Sequence, residues 1–528
     1  MTFTIAMGIS PADRNTEGLP EGWVLTTLRD VCEINPPKAL KESLAGNCPV
    51  TFVPMPAVDA KEGAITKPQT RRFSEVRKGF TSFREYDVIM AKITPCMENG
   101  KAAIARNLIN GQGFGSTEFH VFRSTGAVLP EFIYHFIRQD VYRRAAEAEM
   151  TGSVGQKRVP QTFLETTELP LPPLPEQTRI VKSLTALLNA VKGSQEKLGR
   201  VPAILKRFRQ AVLAAACSGQ LTEDWRERHS KTDSVNQQLA SLRRERDRLL
   251  RNGQRNYHPA PPNPTFEAEV PEGWHTVSLD ELCIRITSGS RDWKRYYSND
   301  GPGTFIMAQN VRPLFFDLSY RLRVAPPAHD RDCERSQVKQ GDILVTIVGA
   351  NTGDVCRVGD SLDQYYVCQS VALIRPAKAS ISPFLELYLN SQIHGQAQFR
   401  DWIYGEGRPH LSFDQLRQTA ILVPPLKEQE EISRRVHSLF SLANMIEVHL
   451  STAALRAEKL TQSILAKAFR GELVPTEAEL ARREGREYET ASVLLERIKQ
   501  ERDSGTSSKA TRPRRRSKVT LASAKEKA

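Results

Sequence analysis

The chain has 528 residues, of which 40 % are hydrophobic and 26 % charged, ordinary proportions for a globular protein with a core in each of several domains. No run of 18 apolar residues occurs, which argues against a transmembrane helix. Met1 to Arg14 lacks the basic and apolar regions of a secretory signal, so a cytoplasmic location is expected. The formal charge is +13, but eight Lys/Arg against one Glu from Thr506 onward supply +7 of it, so the excess is weak testimony for nucleic acid.

Residues 1–18 read as a loose lead-in. Pro20-Glu21-Gly22-Trp23 then opens an alternating run to Leu28, the pattern of a strand. Strand-like runs follow at 51–55, 87–93 and 119–123, and a helix is predicted over 130–149 behind Pro130. Residues 19–177 are therefore expected to form a mixed α/β domain. At Pro172-Pro173-Leu174-Pro175-Glu176-Gln177 the period changes. Ile180, Leu184, Leu187, Val191, Ser194, Leu198, Val201, Leu205, Phe208 and Val212 alternate steps of four and three, a heptad seam. The spacing predicts a long helix over 178–222, kinked at Pro202 and ending near Gly219-Gln220-Leu221. Residues 223–251 predict a charged helix, read as a solvated spacer, and His258-Pro259-Ala260-Pro261-Pro262-Asn263-Pro264 a stiff linker, so 223–269 is a connector.

The plan then returns. Pro271-Glu272-Gly273-Trp274 lies 251 positions after its first copy, and Pro424-Pro425-Leu426-Lys427-Glu428-Gln429 and Gly471-Glu472-Leu473 lie 252 after theirs. Strands are predicted at 274–279, 304–307, 342–348 and 371–375, and a helix at 383–404, giving a second domain over 270–429. A second seam, Ile432, Val436, Leu439, Ala443, Ile446, Leu450, Ala453, Ala457, Leu460 and Ile464, keeps the first one's register and fills 430–475. One more helix is expected over 476–503, and the basic stretch 504–528 is too poor in apolar residues to fold. A period this long is domain-sized, so the chain is two copies of one domain plan, a pseudo-two-fold object. The simplest way to bury both stripes is against each other, as a coiled-coil rod of roughly 60 Å.

Fragments that mimic catalytic motifs fail on inspection. Asn35-Pro36-Pro37 is followed by Lys38, where amino-methyltransferases need an aromatic to stack on an extruded base. Gly111-Gln112-Gly113-Phe114-Gly115 does not sit between a clear strand and a helix, and Asp59-Ala60-Lys61 lacks the upstream acid of a nuclease pair. Eight cysteines stand singly, without Cys-x-x-Cys, and are read as buried reduced thiols; no metal site is expected. No phosphate loop, serine elbow or His-Glu-x-x-His helix occurs. The chain reads as a reader or scaffold, with an enzyme of unrecognised site as the remaining class.

Pro-Glu-Gly-Trp, the strand within 87–93, Pro-Pro-Leu-x-Glu-Gln before a heptad helix, and the endings Gly219-Gln220-Leu221 and Phe469-Arg470-Gly471-Glu472-Leu473 together resemble the specificity subunit of type I restriction–modification enzymes over residues 19–475. The resemblance implies a target-recognition domain, a helical conserved region, and both again. It implies that each recognition domain reads half of a bipartite double-stranded DNA target and that the two helices pair antiparallel as a ruler for the unread spacer. It also implies two methyltransferase subunits carrying S-adenosylmethionine and restriction translocase–nuclease subunits using ATP and Mg. This chain then binds no cofactor and carries no catalytic residue, and no membrane is involved. The alternative is a two-headed protein-interaction scaffold with no DNA function. Since Arg and Lys can read guanine, and Asn and Gln adenine, the DNA contacts expected are Lys92, Lys101, Gln156, Lys157 and Arg158 in the first domain. In the second they are Arg291, Lys294, Arg295, Tyr296, Asn351 and Arg408.

Overall fold

The computed structural model describes residues 18–38, 45–153, 155–229, 235–251, 269–359, 363–405, 407 and 409–507. The expected lead-in, the Pro-rich linker and the basic stretch past Ser507 fall outside the described residues. The structure divides into two units, Met1–Leu198 with Ala453–Ala528, and Gly199–Thr452. The division falls inside both long helices rather than at the expected ends of the sheet domains.

In the first unit, strands Cys32–Ile34, Phe119–Ser124, Val88–Ala91 and Ala102–Ile104 lie in that order in an antiparallel sheet. A second sheet runs Gln69–Arg72, Pro49–Val53, Gln112–Gly115, Thr81–Arg84, with its central pair parallel. A ribbon of Val24–Thr27 with Glu168–Leu171 joins the start of the domain to its end. The second unit repeats each piece. Cys283–Ser288, Val371–Pro376, Ile343–Thr346 and Val355–Arg357 form the antiparallel sheet. Leu322–Val324, Gly303–Ile306, Gln364–Val367 and Gln337–Val338 form the mixed one, again parallel at its centre. His275–Ser278 pairs with Ala420–Val423. The mixed α/β class and the duplication read from the sequence are both present.

Each single helix expected after the sheets is two. Pro130–Ile137 and Asp140–Ala148 are separated at Gln139, whose extended backbone (ψ 139°) ends the first and starts the second. The corner brings Tyr142, fully buried, within 5.5 Å of Phe136. Ser382–Asn390 and Gly395–Trp402 are also two helices, separated by residues 391–394. The helix expected over 476–503 is also split, into Glu477–Glu484 and Ala491–Ser507, by left-handed Gly485 (φ 64°).

The long helices are Leu174–Cys217, unbroken in range across Pro202, and Leu426–Phe469. In the first unit Ile180, Leu184 and Val191, from the early turns of one, share a core with Ile464, Leu465, Ala468 and Phe469, from the last turns of the other. In the second unit Val212, Leu213 and Ala216 share a core with Ile432 and Val436. Early turns meet late turns in both places, so the pairing is antiparallel. Arg209 adds a bidentate bond to Glu447 (2.7 and 3.0 Å) and one to Asn444 (2.7 Å). Leu205 is buried as well, and Leu198, Phe208, Leu439 and Leu450 are half-buried. Leu187, Ile446 and Leu460 depart from the expected seam, being 39, 38 and 50 % exposed. A lone helix pair covers a side chain from one direction only. The fully buried seam residues lie mostly towards the ends, where the sheet domain supplies a third wall.

The charged segment 223–251 is not a solvated spacer. Val235, Leu239 and Leu242 of helix Val235–Arg251 are buried in the second unit's core. Arg246 pairs with Asp280 (2.9 Å) and donates to the Cys283 carbonyl (3.1 Å). In the first unit Ala491, Leu494 and Ile498 of helix Ala491–Ser507 do the same. The duplication therefore extends beyond residue 475, and each unit carries its own cap helix.

The repeated landmarks meet at one junction in each unit. In the first, Trp23 Nε1 donates to Glu176 (2.8 Å), whose other oxygen accepts the Glu477 N–H (2.7 Å). In the second, Trp274 Nε1 donates to Glu428 (3.1 Å), which also accepts Thr222 Oγ1 (2.8 Å) and Arg226 Nε (3.1 Å). Gly471 ends its helix left-handed (φ 74°), where an added Cβ would lie 2.4 Å from Pro20 Cγ. Gly219 (φ 77°) stands likewise against Pro271, at 2.8 Å. Only glycine combines that backbone with that approach.

Candidate nucleic-acid interface

Both units build the same frame under their loops. Asp87, 2 % exposed, takes both oxygens' worth of Arg123 (Nε 3.0 Å, Nη2 2.7 Å) and the Arg84 N–H (2.7 Å). Asp342, 1 % exposed, takes Arg375 (2.8 and 2.6 Å) and the Lys339 N–H (2.7 Å). The planar guanidinium fork suits a buried carboxylate. It pins neighbouring strands of the antiparallel sheet, from whose far ends the loops emerge.

In the first unit, the loop after Val88–Ala91 meets the loop 151–158. Val159 N donates to Lys92 O, and Thr94 N to Lys157 O. Thr151 and Arg158 bond each other's backbones at 3.0 and 2.8 Å. Gln156 and Lys157 are exposed at the tip. Arg158 is held bidentate by Glu118 (2.9 Å twice), and this hydrogen bonding holds the Glu118 carboxyl below its usual range. Lys92 is half-buried, and Lys101 Nζ donates to the Met55 carbonyl (3.1 Å). Of these five residues, Gln156 and Lys157 are the ones presented openly, while Arg158 and Lys101 are engaged within the protein.

In the second unit, Arg291, Lys294 and Arg295 are exposed around a turn anchored by buried Trp293. Trp293 stacks on Phe305 (4.9 Å) and donates to Ser290 Oγ (2.9 Å). Arg295 lies over the Tyr296 ring (4.6 Å), and the Tyr296 hydroxyl donates to Asp330 (3.4 Å). Asn351 is half-buried in a turn tied down by Thr352 Oγ1, which donates to the Gly349 and Pro409 carbonyls. Arg408 lies outside the described residues. Beside Arg291 a cleft of about 510 Å³ opens, lined by Ser288, Gly289, Gln369, Ser370 and His410 among others. His410, which the sequence reading did not single out, lies 252 residues after Arg158.

The motif mimics have structural tasks. Asn35 (φ 49°) accepts the Val121 N–H and donates to His120 Nδ1 (3.0 Å) and Gln161 Oε1 (2.9 Å), leaving its amide no spare donor for a base. Residues 112–115 are a buried strand between two others. Asp59 caps a turn through the Lys61 and Glu62 N–H groups (2.8 Å each). Among the described residues no cluster could hold a metal and no helix is long and apolar enough to cross a membrane.

A family described as the type I restriction modification DNA specificity domain matches residues 20–200 and again 271–453. The chain belongs to this family. It is similar to the type I restriction enzyme EcoBI specificity subunit of Escherichia coli, 33 % identical over 72 % of this chain and 73 % of that one. It is also similar to the EcoEI specificity subunit of Escherichia coli, 27 % identical over 82 % and 80 %. Among solved structures, a chain of a type I R-M system matches with TM-score 0.63 and 22 % identity, over 86 % of this chain and 99 % of that one. The HsdS subunit from Thermoanaerobacter tengcongensis matches with TM-score 0.54 and 22 % identity, over 87 % and 100 %. Both share the specificity-domain fold, and each family match covers one sheet domain and the first part of the long helix that follows it.

Proposed function

We propose that this chain is the DNA sequence-specificity subunit of a type I restriction–modification complex. Each sheet domain reads one half of a bipartite duplex target, and the paired helices set the count of unread base pairs between the halves. Two methyltransferase subunits bring S-adenosylmethionine and modify adenine; translocase–nuclease subunits bring ATP and Mg. The chain contributes selection, and its partners the chemistry, in the cytoplasm where chromosomal DNA is held. The observation that carries this reading is the duplication of a rigid frame under chemically different loops. Asp87–Arg123 and Asp342–Arg375 are the same device, while Glu118 and Arg158 above the first are replaced by Ser370 and His410 above the second. Phosphate contacts set register and side chains at base edges set sequence, so two readers of one build with different rims read two sequences.

The test is reconstitution with the methyltransferase partner, followed by binding of labelled target in competition with random duplex and by mapping of methylated adenines. A bipartite motif with a specificity ratio of at least about 10³ is expected. Equal affinity for all duplexes, with no motif, would leave the two-headed scaffold as the better account.

A further inference from the structure

The internal duplication aligns the chain with itself, residue by residue, at the reading loops. Lys92 O accepts the Val159 N–H (2.9 Å), and Ile347 O accepts the Leu411 N–H (2.9 Å). Arg158 bridges Ile93 and Thr151, and His410 bridges Val348 and Tyr404. Lys92 N donates to Glu118 O, and Ile347 N to Ser370 O. Arg158 and His410 therefore hold one position in the plan, and Glu118 and Ser370 another.

The chemistry at these matched positions differs. In the first unit the place is closed by a polar chain. Arg158 is clamped by Glu118, His120 Nε2 bonds the Val159 carbonyl (2.9 Å), and Asn35 joins His120 to Gln161. At the same offsets the second unit has His410, Ser370, Ala372 and Phe413. Alanine and phenylalanine cannot continue a hydrogen-bonded chain, and serine is too short to reach where glutamate did. The cleft of about 510 Å³ occupies this place. His410 Nδ1 has no hydrogen-bond partner among the described residues, and Gln369 is exposed. Arg291 and Arg335 flank the opening, Arg335 Nη2 donating to Gly289 O (3.3 Å).

We propose that this cleft is the base-reading site of the second unit, taking the polar edge of one or two base pairs between Gln369 and His410, with Arg291 and Arg335 steering the adjacent backbone. The proposal rests on the DNA-reading function and narrows it to one place. A glutamine offers a donor and an acceptor side by side, the complement of the adenine edge in the major groove. Guanidinium groups at a rim suit phosphate.

Three variants test it in the assembled complex with its methyltransferase: Gln369→Ala, His410→Ala, and Ser370→Glu with His410→Arg, which installs the first unit's clamp. Methylated adenines are mapped across a random duplex library. Gln369→Ala changes an exposed side chain, so its circular dichroism and melting should match wild type. It should lower discrimination about tenfold at one or two positions of a single half-site, leaving the other half unchanged. His410→Ala should act on the same half-site, and the installed clamp should abolish discrimination there. An unaltered motif in Gln369→Ala and His410→Ala overturns the proposal. So does a loss equal for all sequences, which marks a phosphate contact. A wild-type complex that marks no bipartite motif overturns the proposed function itself, and this one with it.

Discussion

Asp87 and Asp342 each depend on one guanidinium for the charge they keep out of water. Removing it strands a buried carboxylate, so Arg375→Ala should destabilise the second unit by about 3–5 kcal/mol. Replacing Asp342 and Arg375 together by leucine should recover most of that loss. Denaturant unfolding followed by hydrogen exchange of each sheet checks both. His120, His135 and His394 are buried, and burial lowers each to about 4 from an ordinary 6.5. The unfolded chain therefore takes up protons that the folded chain refuses. Their stabilisation is whole above about pH 6.5 and is lost as pH falls towards 4, up to about 3 kcal/mol for each. Melting temperature should drop across that window, and a melting temperature that is flat there would contradict the assignment. Of the residues expected at DNA, Gln156, Lys157, Arg291, Lys294 and Arg295 are exposed, while Arg158 and Lys101 are bonded within the protein. Arg158 has the composition of a base reader, but nothing in one dimension shows Glu118 arriving from another strand to clamp it. Asn35, already ruled out as a methyltransferase asparagine by Lys38, has a left-handed backbone and three bonds that give it a structural task.

Among the elements, four strands of each domain were legible from alternation or from apolar β-branched runs, whereas short or polar ones such as Gln69–Arg72 and Gln112–Gly115 carry neither signal. The helix break at Gln139 was not legible, since no Gly or Pro marks it and the corner is imposed by packing; the break after Asn390 carries Gly395, whose close approach to Leu389 (an added Cβ would lie 2.5 Å from its Cα) shows only in the fold. Helix Val235–Arg251 was expected as a helix, but its charge concealed that it packs as a cap. Val235, Leu239 and Leu242 already carry the four-and-three spacing, and the arginines around them drew the eye to solvent. Its counterpart Ala491–Ser507 closes the first unit. Ala491 N donates to Gly22 O (3.0 Å), and Arg179 and Arg486 both bond Glu477 (2.6 Å each). Ending the chain after Thr476 should therefore open the first unit to protease while the second stays resistant, with mass spectrometry of the fragments as the readout. Equal resistance of both units would contradict the cap's role. Along the long helices, Leu184→Ala should cost about 2–5 kcal/mol at its fully buried site, and Leu460→Ala, half exposed, well under 1 kcal/mol.

At the scale of the whole molecule, two equal frames present equal surfaces, and a partner that fits one fits the other. Native mass spectrometry of the reconstituted complex should give one copy of this chain to two methyltransferase subunits; a one-to-one mass would contradict the equivalence. The duplication itself was legible because its landmarks are the residues that meet at the Trp–Glu junctions, where chemistry tolerates little change. One asymmetry remains within it. The second unit is a single stretch, Gly199–Thr452, whereas the first draws on residues from both sides of that stretch. A ribosome therefore delivers everything the second unit needs while the first still waits for its closing helix. A message cut short after Thr452 would leave one hand finished and the other open, and a two-part address needs both.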